Sequence, residues 1–488
     1  MESLSQTKWD VVISGTGLQH SLLALALSRS NKKILHVDPN EYYGGAEAAF
    51  SLQEVDEWVE KVNQDPSKPF RNASLWKPAV ESPNESKLSF SRAYSLTLSP
   101  QIIYTRSKLL SQLVASKVYR HLEFQAVGNW WIFDGQDGAP LKRLPNGRED
   151  IFQDKNIDNR AKRSLMRFLK FVVDYENQTE VWQSHSDSGL AGFLSSQFQL
   201  PPNLQIVIAA LTLSLDPPDI IPVKWALPRV SRHLSSLGVF GPGFGAVVAK
   251  WGGGAEISQV ACRAGAVGGG IYVLGTGVTS YKISSDEERT EVHLSNHEVV
   301  KTKHLVQAPD SPSLDAKLVS KVVAVVSSPL TSLFRSSVEG SPLAAVSVVL
   351  FPPSSLAVEG VSQPNPVHLM VHSSETGECP NGQCVIYGTT LHSDDSKSHL
   401  ETALATFLKS AEEGGDALYI LYYEQEQTFK SSGELSEASI DLAFNDEMLE
   451  EVETQWKSVI EEADMSSFMR FEDREGINEY DDEDVEEF

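Results

Sequence analysis

Residues 11–45 read VVISGTGLQHSLLALALSRSNKKILHVDPNEYYGG. A β-rich apolar run (Val11, Val12, Ile13), a glycine turn, an apolar helix through Ser28 and a second strand, Ile34–Val37, make a βαβ opening. Such a loop holds the pyrophosphate of a dinucleotide when it reads Gly-x-Gly-x-x-Gly. The first glycine makes the turn, the second lets the phosphates approach, and the third lets helix pack on strand. Here Gly15 and Gly17 fill the first two places and His20 the third. Asp38, at the end of the second strand, stands where a ribose-binding carboxylate would. A ring at position 20 pushes the helix away or fills the phosphate approach, so the stretch keeps the scaffold of a nucleotide-binding fold and argues against the ligand. The expectation is that no cofactor is bound.

Working outward, composition narrows the function classes. The 488 residues carry 66 acids against 41 Lys and Arg, a formal charge of −25. A phosphate backbone or an anionic membrane is repelled over most of such a surface, so nucleic-acid binding is not expected. No apolar run approaches the ~20 residues of a membrane span, and MESLSQTKWD lacks the features of a secretory signal. The expected location is the cytoplasm. Cys262, Cys379 and Cys384 form no disulfide framework, and no metal spacing or Cys/His nucleophile pair is found. Asn72 and Asn84 head chance glycosylation patterns, and the terminal Glu-Glu-Phe is no prenylation box.

The chain divides by texture. Residues 1–104 form the first part of an α/β domain, with 63–87, rich in Pro, Asn and Ser, as a surface insertion. Residues 105–235 are mainly helical: Leu109, Leu110, Leu113 and Val114, then Leu165, Phe168, Leu169, Val172 and Val173, then Leu190, Phe193 and Leu194, then Leu204, Val207, Ile208 and Leu211, recur at helical spacing. Residues 236–465 return to short β-rich runs and complete the sheet. Residues 466–488 form an acidic tail, with ten acids and one Arg between Glu472 and Phe488, a composition that cannot bury enough surface to fold alone.

Two motifs, DVVISGTGL (Asp10–Leu18) and HVDPNEYYGG (His36–Gly45), resemble the first signature of the Rab GDP-dissociation inhibitors and Rab escort proteins. Further likeness runs through Ser91–Tyr104, Ser116–Phe124 and Gly252–Leu274. The resemblance implies a Rossmann-related large domain of the FAD-oxidoreductase type with an inserted smaller helical domain. It further implies a non-catalytic chaperone of GDP-bound Rab GTPases. Carried across, the family's Rab-binding platform falls on Tyr42, Glu256, Arg263 and Val273, and a mobile Rab-contact loop falls on Arg229 and Arg232.

Within that family the escort proteins also present unprenylated Rab to the Rab geranylgeranyl transferase α/β heterodimer. Three features favour them over the dissociation inhibitors: the length of the chain, the 63–87 segment, and WGGGAE (Trp251–Glu256) in place of the inhibitors' shorter Tyr-Gly-x-Gly-Glu. The implied partners are GDP-form Rab GTPases, the transferase heterodimer and the geranylgeranyl lipid on Rab, with transient membrane association during delivery. The apolar stripes of the helical region are candidates to admit the lipid, and Phe193 or Phe198 to dock the transferase. Val322–Val326 reads as a buried strand before a patch for the Rab tail. An FAD-dependent oxidoreductase is the more distant reading.

Overall fold

The computed structural model describes residues 4–64, 69–79, 87–135, 141–145, 157–283, 289–307, 316–336, 340–427, 440–460 and 467–472. Strand β1 (Lys8–Ser14), helix α1 (Leu18–Leu27) and strand β2 (Ile34–Asp38) form the expected βαβ unit, with β1 and β2 parallel and Val11 opposite Ile34. Helix α2 (Gly254–Val267) and strand β3 (Ile271–Leu274) return to it, β3 adding parallel to the free edge of β2. Strand Val299–Val306 joins the other side of β1, and two antiparallel strands close a six-stranded sheet. Parallel strands buried on both faces read as continuous apolar runs. Accordingly Val11 and Ile13 join α1 and α2 in one core, while Val12, Leu35 and Val37 face a second.

The second sheet has ten strands. At its centre Lys317–Val326 pairs antiparallel with Cys384–Leu391 and Ala417–Gln427, and Val322–Val326 is fully buried, as a central strand should be. Strand Phe124–Phe133 also lies in this sheet, so the helical unit is built from residues after 157 rather than from 105 onward. The segment 63–87 is corrected too. Phe70–Trp76 is the strand beside Ala417–Gln427, and the Phe70 ring packs 5.1 Å from Trp58 and 5.8 Å from Tyr423. The Pro and Ser clusters masked a short strand whose inward residues belong to the core.

Helices Asn159–Val173, Leu190–Phe198, Pro202–Thr212 and Val223–Ser236 form the helical unit. Asp158 caps the first, accepting from the amides of Arg160 and Ala161, and Pro202 starts the third at a position that needs no amide donor. Of the apolar stripes, Leu165, Phe168, Val172, Leu204 and Ile208 are buried in one core, Leu169 and Leu211 pack at its edge, and Val173 is exposed. Phe468 and Met469 are buried against the α1 side of the first sheet, so the expected tail begins later than residue 466. Residues 473–488 lie outside the described residues.

Candidate functional site

The Gly15–Gly17 loop places α1 with its first amides pointing at the position a pyrophosphate would take. That place is filled by the chain itself. Glu47 accepts a hydrogen bond from the Leu18 amide at 3.3 Å, its Oε2 3.4 Å from where a Cβ on Gly17 would stand, with the backbone of Gly254 packed against its stem. A carboxylate at a helix N-terminus meets orphan donors and the positive end of the dipole. Burial raises the Glu47 pKa, and the Leu18 hydrogen bond and Lys321 act against that rise.

Asp38 is likewise used internally. Its Oδ2 accepts from the Thr16 amide at 2.6 Å and the Thr16 hydroxyl at 2.7 Å; its Oδ1 accepts from the Asn40 amide at 2.8 Å and side chain at 3.0 Å. The carboxyl is 1% exposed, closed off from a ribose. His36, in the same sheet, donates from Nε2 to the Gly15 carbonyl at 2.6 Å, and burial lowers its pKa to about 4. His20 lies against Gly15, its Nδ1 3.3 Å from a Cβ position there, and burial lowers its pKa too. These residues do not fit a dinucleotide: its phosphates would meet the Glu47 carboxylate and the His20 ring. Among the described residues no group of three His, Cys, Asp or Glu could hold a metal ion.

The second constellation lies one turn outward. Gly44 takes φ +99°, a conformation L side chains rarely adopt, and passes close to Ala255 on α2. The Tyr-Tyr-Gly-Gly turn is thereby pressed onto the start of that helix, and its two tyrosines part. Tyr42 packs edge-on against Phe50 at 4.8 Å, joined to the core, and burial with the Asp38 charge lifts its hydroxyl to about 12. Tyr43 is partly exposed and stands in the field of Cys262 on α2 and of Tyr272 on β3. Tyr272 needs Gly265 below it, since a Cβ there would be 2.2 Å from its hydroxyl.

On α2, Glu256 is half-buried in the first turn and Arg263 is exposed two turns on. Burial raises the Glu256 pKa and the Arg263 charge lowers it, so the two share one field. Val273, in β3 opposite Val37, is partly buried with the core on the far side of the sheet. The structure therefore puts Glu256 and Arg263 two turns apart on α2, with Tyr43 in the field of Cys262 between them in sequence, Tyr42 packed against the core and Val273 on the neighbouring strand.

Two expectations change. Arg229 and Arg232 lie in helix Val223–Ser236, not in a loop. Both bond Asp441, which is 4% exposed, Arg232 at 3.3 Å, and they stack on Trp225 and Tyr104 at 3.7 and 4.6 Å. They tie helical unit to sheet, because Ile440–Phe444 also bonds Leu215 and Ile102 through the backbone. Phe193 and Phe198 are 1% and 4% exposed and pack on Phe171 and each other; their stripe faces the core, so neither is available to dock a transferase. Glu47 and Tyr43 were missed, although Gly-Gly-Ala-Glu stands twice in the chain, at 44–47 and 253–256, once for each wall of this site.

Residues 5–413 match the family described as GDP dissociation inhibitor. The Rab proteins geranylgeranyltransferase component A of Saccharomyces cerevisiae is 34% identical over 406 residues, 81% of this chain and 64% of that protein, so the chain spans less than two thirds of that relative's length. Among solved structures, a Rab GDI from Plasmodium falciparum superposes with a TM-score of 0.64 at 17% identity, covering 93% of this chain and 98% of that one. An oxidoreductase from Methanosarcina mazei does so with a TM-score of 0.53 at 11% identity, covering 85% and 87%. At these identities the structures show the fold: the large α/β domain shared by oxidoreductases and Rab GDI.

Proposed function

This chain belongs to the GDP dissociation inhibitor family, and we propose that it serves as a Rab escort protein. It binds newly made GDP-bound Rab GTPases, presents them to the Rab geranylgeranyl transferase heterodimer and delivers the prenylated product to membranes. It carries no catalytic residues of its own and acts as the accessory component of the transferase. The observation that carries this reading is the contrast at the two Gly-Gly-Ala-Glu turns. Glu47 accepts from the Leu18 amide where a phosphate would sit, whereas Glu256 stays partly exposed on α2, within the field of Arg263 two turns on. A nucleotide-type fold whose internal site is self-filled and whose rim carries an acid and an exposed arginine on one helix suits a protein-binding platform.

Tyr43, Glu256 and Arg263 form the centre of that platform in this proposal, with Tyr42 as the packed support of the turn and Val273 at its edge. The lipid is held by the helical unit. A twenty-carbon chain in water is unfavourable by ~0.8 kcal/mol per CH₂, and helices 159–173 and 202–212 supply the apolar side chains. They close on their own core here, so entry of the lipid requires them to part. Among the described residues no helix is long and apolar enough to cross a membrane. In this proposal the protein is a cytoplasmic carrier that touches membranes only during delivery.

The test is geranylgeranyl transfer to a GDP-bound Rab by the purified heterodimer, with and without the full chain. Transfer that depends on the chain supports the escort reading. No stimulation, together with extraction of prenylated GDP-Rab from membranes, would make it a dissociation inhibitor. Flavin absorbance in the purified protein would revive the oxidoreductase.

A further inference from the structure

Helix Asn159–Val173 runs against the charge of the rest of the chain. Its charged residues are all cations, Arg160, Lys162, Arg163, Arg167 and Lys170, in a sequence whose formal charge is −25. At about 100° per residue, Arg160, Arg163, Arg167 and Lys170 fall within roughly 80° of one another and form a line about 15 Å long. All four are exposed, and Ala161, Leu165, Phe168 and Val172 on the opposite side fill the core. Arg163 donates to the Asn159 carbonyl at 3.1 Å, and Arg167 donates to the Gln197 carbonyl at 2.9 Å while lying over the Phe198 ring. Arg160 and Arg163 also feel the charge of Asp158, whose carboxylate is held by the helix's own amides. Of the acids nearby in the sequence, Asp158 precedes the helix and Asp174, Glu176 and Glu180 follow it, while Asp154 lies outside the described residues. At the last position Val173 is 62% exposed.

We propose that this face docks the protein onto anionic phospholipid headgroups. A row of long, flexible cations along one helix face does not demand fixed positions of the anions it meets. It matches a headgroup layer, where phosphates are plentiful and have no fixed positions. Each Lys or Arg near an anionic leaflet favours binding by about fivefold, within a screening distance of ~8 Å at physiological salt. The acidic remainder of the surface is repelled, which selects this orientation among others. The same helix faces inward with Leu165 and Phe168, so docking would bring the apolar core of the helical unit next to the bilayer. The inference stands on charge and geometry and does not need the escort reading.

The experiment is sedimentation of the full chain with vesicles of phosphatidylcholine alone and of phosphatidylcholine with phosphatidylserine, at low and high salt. Binding is expected only to the anionic vesicles and is lost at high salt. Arg160→Gln/Arg163→Gln/Lys170→Gln should bind them roughly a hundredfold more weakly, with thermal unfolding and GDP-Rab binding unchanged. Arg167 is left in place because it holds Gln197 and Phe198. Equal binding to both vesicles, no binding to either, or full binding by the triple variant would overturn the proposal. A variant that loses transferase stimulation while the parent chain shows no vesicle binding would assign the face to a protein instead. Loss of GDP-Rab binding by the parent chain would count against the escort reading alone.

Discussion

The inner and outer walls of the first βα turn are built from the same short string and do opposite things. At Gly44–Glu47 the turn folds inward, and its carboxylate takes the Leu18 amide. At Gly253–Glu256 the string opens α2, and its carboxylate remains half-exposed near Arg263. Inside, both oxygens of Asp38 are taken by Thr16 and Asn40; outside, Arg263 stands exposed and Glu256 partly so. The same string thus turns its carboxylate inward in one place and leaves it at the surface in the other, and in the proposed reading only the second is open to a partner.

The inner wall predicts the largest effect. Asp38 accepts four hydrogen bonds from Thr16 and Asn40, and Asp38→Ala leaves buried donors without an acceptor. The expected loss is roughly 3–5 kcal/mol of stability, read from denaturant unfolding. A loss below ~1 kcal/mol would mean that the loop is not held by its carboxylate, and the contrast between the walls would fail. Asp441→Ala comes next, at roughly 2–3 kcal/mol, discounted for the partly exposed arginines it pairs. Amide exchange should quicken at Leu215 and Ile102, whose amides bond the Ile440 and Leu442 carbonyls, while α2 stays protected.

A pH scan sharpens the same contrast. His36 is buried with its ring donating to Gly15, and its pKa is held at about 4 against 6.5 for the ordinary group. The unfolded chain takes up the proton first, so stability falls as pH drops from 6.5 to about 4, by ~2–3 kcal/mol from this group. His36→Gln should flatten part of that slope. His233 and His368, also held at about 4 by burial, should keep the remainder. An unchanged slope in the variant would remove His36 from the inner wall.

On the outer wall, Arg263→Ala and Tyr43→Ala should each weaken GDP-Rab binding by ~1–2 kcal/mol in calorimetric titration. Stability should move by less than ~0.5 kcal/mol at the exposed Arg263. Tyr42→Ala should instead lower stability, because its ring packs on Phe50. The reverse pattern would return Tyr42 to the platform.

How much of this was legible in the sequence follows from the range of the interactions. The βαβ unit, the returning strands and the buried Val322–Val326 strand rest on local period and turn chemistry, and the sequence carries them openly. His20 was readable as an obstacle because the glycine loop has a fixed template. Three things were hidden. The two tyrosines differ only in which way a turn with φ +99° at Gly44 throws them. Phe193 and Phe198 belong to a stripe that reads alike whether it faces a core or a partner. Asp441 meets Arg229 from 212 positions away, a distance no local pattern bridges. Glu47 does carry a local signal, since its string Gly-Gly-Ala-Glu is repeated at Glu256.

The smallest effect tests the comparison most finely. Burial raises the Glu47 pKa, so the charged form is already held at a disadvantage that its bond to Leu18 only partly offsets. Glu47→Gln removes the charge and keeps an acceptor for the Leu18 amide, and stability should change by only ~0–1 kcal/mol. The purified variant should remain without flavin absorbance, because the His20 ring and the saturated Asp38 still obstruct the site. Flavin bound to this variant would show that one carboxylate alone separates the self-filled loop from a working one. The inner wall would then be a recent plug in an intact ligand site, and the outer wall would have gained its role without the inner one having lost its shape.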